Sequence, residues 1–321
     1  MTKGERETVR PVSGTEVPRY AGASTFLRLP ELRDVGECDV AIVGIPFDAG
    51  VTFRPGARFG PSAIRQASRL LRPQYHPSYG MEPLAVLQGA DAGDVTCNPF
   101  DIAEAIGQIE RRVDELQGST EAIVSMGGDH TVLLPLLRSA NRRHGQVALV
   151  HFDAHLDTWD TYFGAPYTHG TLLRRAAEEG LFRDDASMHV GIRGPLYAGQ
   201  DLVDDAGFGF RTIGCDDVQS IGVDGVVGAI RERVGDHPLY ISIDIDVLDP
   251  AHAPGTGTPE IGGMSSRELL MILRGLAGLP VVSADVVEVA PPFDHADVTS
   301  LAAATLLFEI VCLLAGRKVD L

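Results

Sequence analysis

Short apolar runs alternate with longer segments of helical length along most of the chain. The apolar runs predict strands at residues 38–47, 121–128, 146–152, 186–193, 238–245 and 280–289. The longer segments predict helices at residues 60–71, 101–117, 131–145, 168–180, 223–235, 265–278 and 300–316. Strands that alternate with helices indicate a parallel sheet with helices on both faces, where strands are almost continuously apolar. The sequence therefore predicts a three-layer α/β/α fold with a mainly parallel sheet.

No change in composition divides the chain. We therefore expect one domain over residues 25–321, preceded by an N-terminal arm at residues 1–24. The arm has no apolar stretch of the kind found in a signal peptide. Residues 300–316 are the most apolar segment, but they are short for a bilayer span and include Glu309. They predict a core helix, in a protein without membrane contact.

Charge and cysteine content narrow the functional classes. The formal net charge is -17 and the pI is near 4.9, which argues against nucleic-acid binding because that function needs a basic surface. An acidic surface mildly favours cationic ligands and is also typical of a soluble protein. The four cysteines are far apart and form no CxxC motif, so we expect buried, reduced thiols and a cytoplasmic location; they are Cys38, Cys97, Cys215 and Cys312.

Side chains that commonly bind metals follow the predicted strands at their carboxyl ends, where ligands bind in open α/β sheets. Residues two apart in an extended segment point the same way, so each segment directs its groups at one place. Buried carboxylates are costly unless something pairs with them. Six residues are candidate metal ligands: His130, Asp153, His155, Asp157, Asp244 and Asp246. Glu288 is an acid within another apolar strand, and we expect it to have a functional partner.

Six candidates exceed one tetrahedral site and suit two metals that share carboxylates. Oxygen and imidazole ligands without thiolate favour Mn²⁺ over structural zinc, although ligand type alone leaves zinc, iron and nickel open. A metal pair can hold a water molecule and turn it into hydroxide near neutral pH. The sequence therefore predicts a hydrolytic site with two metals.

Several polar residues near these motifs have an adequate structural interpretation. An isolated aspartate or histidine at a strand end is usually a cap or a turn former, and this suffices for Asp129, His151, Asp160, Asp216 and Asp249. His169 begins a helix and is, taken alone, more often structural. The glycine-rich residues 254–263 lack the GK[ST] of a phosphate-binding loop, and we interpret them as an active-site loop.

The segments GGDH, FDAHLDTW and SIDIDVLDPAHAPGTGTPE are similar to the three signatures of the ureohydrolase family, which includes arginases, agmatinases and guanidinobutyrases. The resemblance extends from about residue 25 to residue 314 and is greatest to the agmatinase and guanidinobutyrase branch. It implies an arginase-like fold, a binuclear manganese cluster and a homo-oligomer, commonly a trimer or hexamer.

The resemblance also implies roles for individual residues. One manganese ion would be held by His130, Asp153, Asp157 and Asp244, and the other by Asp153, His155, Asp244 and Asp246. Asp153 and Asp244 would then bridge the two ions. His169 would shuttle protons, and Glu288 would bind the guanidinium of the substrate. For the mechanism we add the hypothesis that Asp157 relays a proton from the attacking hydroxide and that His169 also contacts the substrate.

The sequence leaves the tail of the substrate open. The acidic composition favours agmatine, which ends in an ammonium, and 4-guanidinobutyrate is the alternative, for which Arg193 is a candidate partner. A non-enzymatic relative would be expected to lose ligands that are all present here. A binuclear phosphoesterase would need a basic cluster, and none accompanies these motifs.

Overall fold

The sheet has eight strands in the part of the chain that the computed structural model describes, residues 8–319. The strands are β1 Cys38–Gly44, β2 Gly89–Asp94, β3 Thr120–Met126, β4 Ala148–Phe152, β5 Met188–Ile192, β6 Arg211–Gly214, β7 Leu239–Asp244 and β8 Val281–Val287. Their spatial order is β2-β1-β3-β8-β7-β4-β5-β6, and each neighbouring pair is parallel. The predicted parallel sheet is confirmed.

Helices cover both faces of this sheet. Within residues 8–319 the α-helices are α1 Leu32–Val35, α2 Gly60–Ser68, α3 Pro83–Val86, α4 Ile102–Gln117, α5 Leu133–His144, α6 Leu172–Glu178, α7 Gln200–Gly207, α8 Cys215–Val234, α9 Ser266–Gly275 and α10 Val298–Gly316. Side chains of α2, α3, α8, α9 and α10 pack in one core cluster, and those of α4, α5 and α6 pack in another. The three-layer prediction is therefore confirmed.

The strands are apolar because they are buried on both faces. In β7, Leu239, Ile241 and Ile243 pack in the first cluster, whereas Tyr240 packs in the second. Successive side chains of a strand point to opposite faces, so a two-sided core needs apolar residues at nearly every position.

Two strands and three helices were missing from the sequence prediction, among them the one-turn helices α1 and α3. The strands β2 and β6 form the two edges of the sheet, and their sequences, GADAGD and RTIG, carry few of the apolar residues by which strands are recognised. The helix α7 lies in the connection between β5 and β6. The helix α8 also begins earlier than the predicted residue 223, and a kink at Gly222 separates the two parts.

The apolar segment near the C-terminus forms α10. It is the one helix in residues 8–319 whose length and composition would allow it to cross a membrane, and 78% of its most apolar window is buried inside the structure. The carboxylate of Glu309 is buried there and accepts hydrogen bonds from Arg274 Nε at 3.1 Å and His76 Nε2 at 3.2 Å. These partners offset the cost of burying an acid in a core helix.

The burial of the cysteines and the contacts of the N-terminal arm were not fully predicted from the sequence. None of the four cysteines forms a disulfide bond within residues 8–319, but Cys97 and Cys215 are only half-buried, so the expectation of four buried thiols was partly wrong. Residues 1–7 of the predicted arm lie outside the described range. Beyond them, Val9 N donates to Gln88 Oε1 at 2.7 Å, so this part of the arm contacts the domain.

The helix α9 begins with a capping box, which gives a test of local stability. Ser265 Oγ accepts from Glu268 N at 3.2 Å, and Glu268 Oε2 accepts from Ser265 N at 2.8 Å. We expect Ser265→Ala to lower the free energy of unfolding by about 1 kcal/mol, because it leaves a helix N–H without its acceptor. Urea denaturation measures the effect, and Ser266→Ala is the control. Equal losses in the two variants would contradict the capping role.

Candidate functional site

The candidate ligands meet at the carboxyl ends of β3, β7 and β4, which lie with β8 as four consecutive strands in the middle of the sheet. His130 begins a short turn after β3, and Asp153, His155 and Asp157 lie in the loop after β4. Asp244 ends β7, Asp246 lies in the turn that follows, and Glu288 directly follows β8. Residues far apart in sequence therefore share one crevice.

One half of the cluster is centred on His130. Its Nδ1 atom lies near three carboxylate oxygens: 3.0 Å from Asp157 Oδ2, 3.1 Å from Asp153 Oδ2 and 3.4 Å from Asp244 Oδ2. In the other half, His155 Nδ1 lies 3.1 Å from Asp246 Oδ2 and 3.3 Å from Asp153 Oδ1. Asp153 contacts both histidines and is therefore positioned to bridge the two halves.

The tautomer of His130 is set by a chain of hydrogen bonds behind it. Tyr240 and Ser242 both donate to Asp285, at 2.6 and 2.7 Å. Because the Ser242 hydroxyl has only one proton, it accepts from His130 Nε2 at 3.0 Å. When the ring is neutral, the lone pair of Nδ1 is therefore directed toward the carboxylates, as in a metal-ligating histidine.

The cluster fits a divalent cation. Within the described residues, His130 Nδ1, His151 Nε2 and Asp153 Oδ2 are buried without a hydrogen-bond partner, although buried polar atoms are normally paired. Burial, and then Asp153, raises the pKa of Asp246 to about 6, and burial with Asp246 and Asp153 raises that of Asp244. A cation among these oxygen and nitrogen atoms would relieve this repulsion.

The structure brings one further residue, His151, into contact with the set that the sequence indicated. Potential ligand atoms form two groups, and the atoms within each group lie no more than 4.8 Å apart. The first group consists of His130, His151, Asp153 and Asp157, and the second of Asp153, His155 and Asp246. His151 had only a structural interpretation in the sequence, but its side chain lies beside Asp153. Asp244 belongs to neither group, but its Oδ2 atom lies 3.4 Å from His130 Nδ1.

Backbone amides orient the carboxylates of the cluster. Asp153 Oδ1 accepts from His155 N at 2.6 Å, and Asp244 Oδ1 accepts from Asp246 N at 2.8 Å. Asp246 Oδ1 also accepts from Ala154 N at 3.1 Å, which joins the β4 loop to the β7 loop. Asp153 and Asp244 are thus held by an amide of their own segment, and Asp246 by an amide of the neighbouring loop.

His169 and Glu288 form a second pair beside the cluster. His169 Nδ1 lies 3.0 Å from Glu288 Oε1, which also accepts from His130 N at 2.8 Å. Thr52 N donates to His169 Nε2 at 3.1 Å, so the ring in this arrangement carries its proton on Nδ1. Burial disfavours a charged ring, but Glu288 and Asp157 outweigh it and raise the pKa of His169 to about 9. His169 can therefore take a proton at Nε2 when the contact with Thr52 opens.

Two acidic residues at the site have uncommon backbone conformations. Asp157 has φ 58° and Glu288 has φ 63°, in the left-handed region that residues other than glycine seldom adopt. Such strain is typical of functional positions held by their surroundings. Glu288 is fully buried, and its Oε2 atom has no hydrogen-bond partner among the described residues.

Aromatic rings form one side of the site near His169. A Cβ placed on Gly170 would lie 2.9 Å from the Tyr162 ring and 3.2 Å from the Trp159 ring. The rings of Trp159, Tyr162 and Tyr197 contact one another edge to face, with centroids 5.6 to 6.1 Å apart. Trp159 Nε1 donates to Asp201 Oδ2 at 3.0 Å, which fixes the wall on α7. We call these three rings the aromatic wall.

Other polar residues have the structural roles that the sequence suggested. Asp129 accepts from Thr131 N and Gly50 N, and Asp249 accepts from three backbone amides of its turn and the following loop. Asp160 is exposed and pairs with Arg175. The loop at residues 254–263 does approach the site, because Glu260 Oε1 lies 3.6 Å from His155 Nε2.

Arg193 is not available to bind a substrate carboxylate. Its guanidinium donates to five backbone carbonyls: Gly191, Asp246, Val247, Leu248 and Glu260. These bonds join β5 to the loops after β7, so Arg193 has a structural role at the edge of the site.

Sequence reasoning also missed residues that act through contacts between distant segments. Thr52 reaches His169, and His189 and Asp205 lie behind His151. The polar His189 within the apolar MHVGI of β5 was the one available signal, because a buried histidine needs a partner.

Comparisons with known proteins agree with this geometry. The model of the arginase family matches residues 38–313. The guanidinopropionase of Pseudomonas aeruginosa is 45% identical, with 95% of this chain and 96% of the relative covered. The mitochondrial agmatinase of Gallus gallus is 41% identical, with coverage of 96% and 90%. The solved structure of the proclavaminate amidinohydrolase of Streptomyces clavuligerus superposes with a TM-score of 0.90 at 40% identity, covering 94% and 99%.

Removal of one of the two central aspartates tests the metal centre. We expect Asp153→Ala and Asp244→Ala to reduce bound divalent metal and to abolish turnover, because each removes a carboxylate that contacts His130. Metal content by mass spectrometry and urea release are the measurements. The control is Asp160→Ala, which removes an exposed aspartate from the same loop as Asp153. Full metal content and activity in the first two variants would exclude this centre.

Proposed function

Since the chain belongs to the arginase family, we propose that it releases urea from a linear guanidino compound, with agmatine as the first candidate. The products would be putrescine and urea. The hydrolysis of C–N bonds is the activity of the named relatives, and the substrate is the proposed part. The observation that carries the proposal is the buried, unpartnered Oε2 of Glu288 beside the metal-binding cluster.

We propose two Mn²⁺ ions as the cofactors of this site. His130, Asp153, Asp157 and Asp244 would hold one ion, and Asp153, His155, Asp244 and Asp246 the other. The distances from His130 and His155 to these carboxylates support the division into two halves that share Asp153. When bound, a metal pair lowers the pKa of water so that a nucleophile is available near neutral pH.

Glu288 is suited to hold the guanidinium of the substrate. Its Oε1 is fixed by His130 N and His169, and its Oε2 remains free to accept from a planar, cationic group. A carboxylate matches the parallel N–H bonds of a guanidinium. The surrounding aspartates disfavour an anionic reacting group and favour this cation.

Asp157 and His169 are suited to move protons. Asp157 lies beside His130 at the cluster, where it can accept a proton from the attacking water. His169 is nearby and contacts Thr52 through its Nε2 atom. When this contact opens, Nε2 can be protonated and can then give the proton to the departing amine. The leaving amine needs such a proton to depart as a neutral group.

The aromatic wall supports a substrate that ends in an ammonium. Aromatic faces attract cations, and Asp201 adds a carboxylate beside the rings of Trp159 and Tyr197. This arrangement favours agmatine and would connect the protein with polyamine synthesis.

A guanidino acid is the second candidate, and Arg54 favours it. The Arg54 guanidinium lies 5.2 Å from the centre of the Phe293 ring and forms no ion pair within residues 8–319. A Cβ placed on Gly257 would lie 3.1 Å from Arg54 O and 3.6 Å from Glu288 Oε2, so this loop borders the site. Arg54 is thus the cation that a carboxylate tail, as in 4-guanidinobutyrate, could use.

The oligomeric state, the cellular location and the binding partners are proposed as well. We propose a homo-oligomer, a trimer or a hexamer, that acts in the cytoplasm on a small cationic guanidino substrate and binds neither nucleic acid nor membranes. The net charge of -17 supports the absence of nucleic-acid binding.

His169→Ala tests the proton-transfer role. We expect kcat to fall about 100-fold or more while bound manganese is unchanged, because His169 is not a metal ligand in this scheme. Steady-state kinetics and metal content together make the measurement. His144→Ala, at the far end of α5, is the control. A loss of metal in His169→Ala would place this histidine in the metal centre instead.

Parallel kinetics on four compounds test the substrate. We expect kcat/KM of the manganese-loaded protein to be highest for agmatine, compared with 4-guanidinobutyrate, 3-guanidinopropionate and arginine. Arg54→Gln should leave agmatine turnover nearly unchanged, because an ammonium tail does not need this cation. A preference for a guanidino acid that Arg54→Gln removes would establish the second candidate. No urea from any of them would contradict the proposed function.

A further inference from the structure

A pair of buried histidines lies directly behind the cluster. His151 on β4 and His189 on β5 are aligned in the parallel register, and their Nδ1 atoms are 2.8 Å apart. Both side chains are fully buried. One proton between the two nitrogens is enough to join the rings, so each ring fixes the plane of the other.

The pair is anchored on its outer side by a carboxylate. His189 Nε2 lies 3.1 Å from Asp205 Oδ1, and Thr158 Oγ1 donates to the same oxygen at 3.0 Å. Asp205 is 2% exposed and belongs to α7. His189 thus connects a helix at the edge of the fold with the middle of the site.

On its inner side the pair reaches the central carboxylate. His151 Nε2 lies 3.0 Å from Asp153 Oδ2, and the His151 ring stacks on His130 with centroids 4.9 Å apart. Asp153 contacts both halves of the cluster, so a small rotation of its side chain would disturb both.

We propose that His151, His189 and Asp205 are positioning residues that orient Asp153 and thereby set the affinity of the chain for divalent cations. We call these three residues the His–His–Asp network. The proposal rests on the metal centre of the proposed function. Hydrogen-bond partners behind a ligand commonly change metal affinity by about 10- to 100-fold when they are removed.

A purely structural role is the competing explanation. The His189 ring packs on Phe210 with centroids 3.9 Å apart, and buried polar groups need partners in any case. A structural role predicts that substitutions lower the stability of the metal-free protein without a specific effect on metal binding. The two explanations therefore differ in what Mn²⁺ titration shows.

The experiment compares His189→Leu, His189→Gln and Asp205→Ala. Each full-length variant is stripped of metal and titrated with Mn²⁺ by calorimetry, and its metal-free Tm is measured. We expect Mn²⁺ to bind about 10- to 100-fold more weakly in His189→Leu and Asp205→Ala. His189→Gln should bind close to wild type, because its amide nitrogen has two protons and can donate both to His151 Nδ1 and to Asp205, which leaves the His151 proton on Nε2 toward Asp153.

Several outcomes would overturn the proposal. Wild-type affinity in both His189→Leu and Asp205→Ala would do so, as would an equal loss in His189→Gln and His189→Leu. Losses that follow the metal-free Tm across the three variants would support the structural role instead. If His189→Leu does not fold, Asp205→Ala and His189→Gln still decide the question.

The test separates this inference from the proposed function. If wild-type protein binds Mn²⁺ and the network controls its affinity, the inference stands even when no guanidino compound yields urea. If urea release depends on manganese but the network variants bind it normally, the proposed function stands and the inference fails.

Discussion

The burial of several carboxylates in one crevice is the constraint on which the rest of the site depends. Asp153, Asp244 and Asp246 are almost completely buried, and like charges at this separation repel strongly where the dielectric constant is low. The fold gathers them because β3, β8, β7 and β4 are consecutive and parallel, so their carboxyl ends form one edge. Only added positive charge makes that arrangement favourable. The raised pKa values of Asp244 and Asp246 follow from this burial, and the proposed attraction of a cationic substrate would have the same origin.

Partners outside the cluster determine how its members point. The chain from Asp285 through Ser242 fixes the tautomer of His130, and backbone amides fix the aspartates. Glu288 is held on one oxygen and left free on the other. The site is therefore oriented before a ligand arrives, which reduces the reorganisation needed for binding and for reaction.

Much of the fold and of the candidate site could be predicted from the sequence. The central strands are recognisable because both their faces are buried, and their polar ends stand out against apolar runs. The edge strands β2 and β6 lack that signal, because a strand with one neighbour carries fewer apolar residues. The sequence alone made Arg193 a candidate partner of a substrate carboxylate. Its five carbonyl partners come from distant segments, so they become apparent only in the folded chain. His151 and His189 appeared unrelated because they are brought together only by strand register.

The helix α7 carries both Asp201, which holds Trp159 of the aromatic wall, and Asp205, which holds His189. Thr158, next to Trp159, also donates to Asp205. The surface proposed to meet the tail of a substrate and the network proposed to support the metal cluster thus share one short helix. Divergence toward new substrates would have to preserve the register of this helix while it changes the rings around it. An engineer who grafts the loop that carries Thr158 and Trp159 from a relative should transfer α7 together with it.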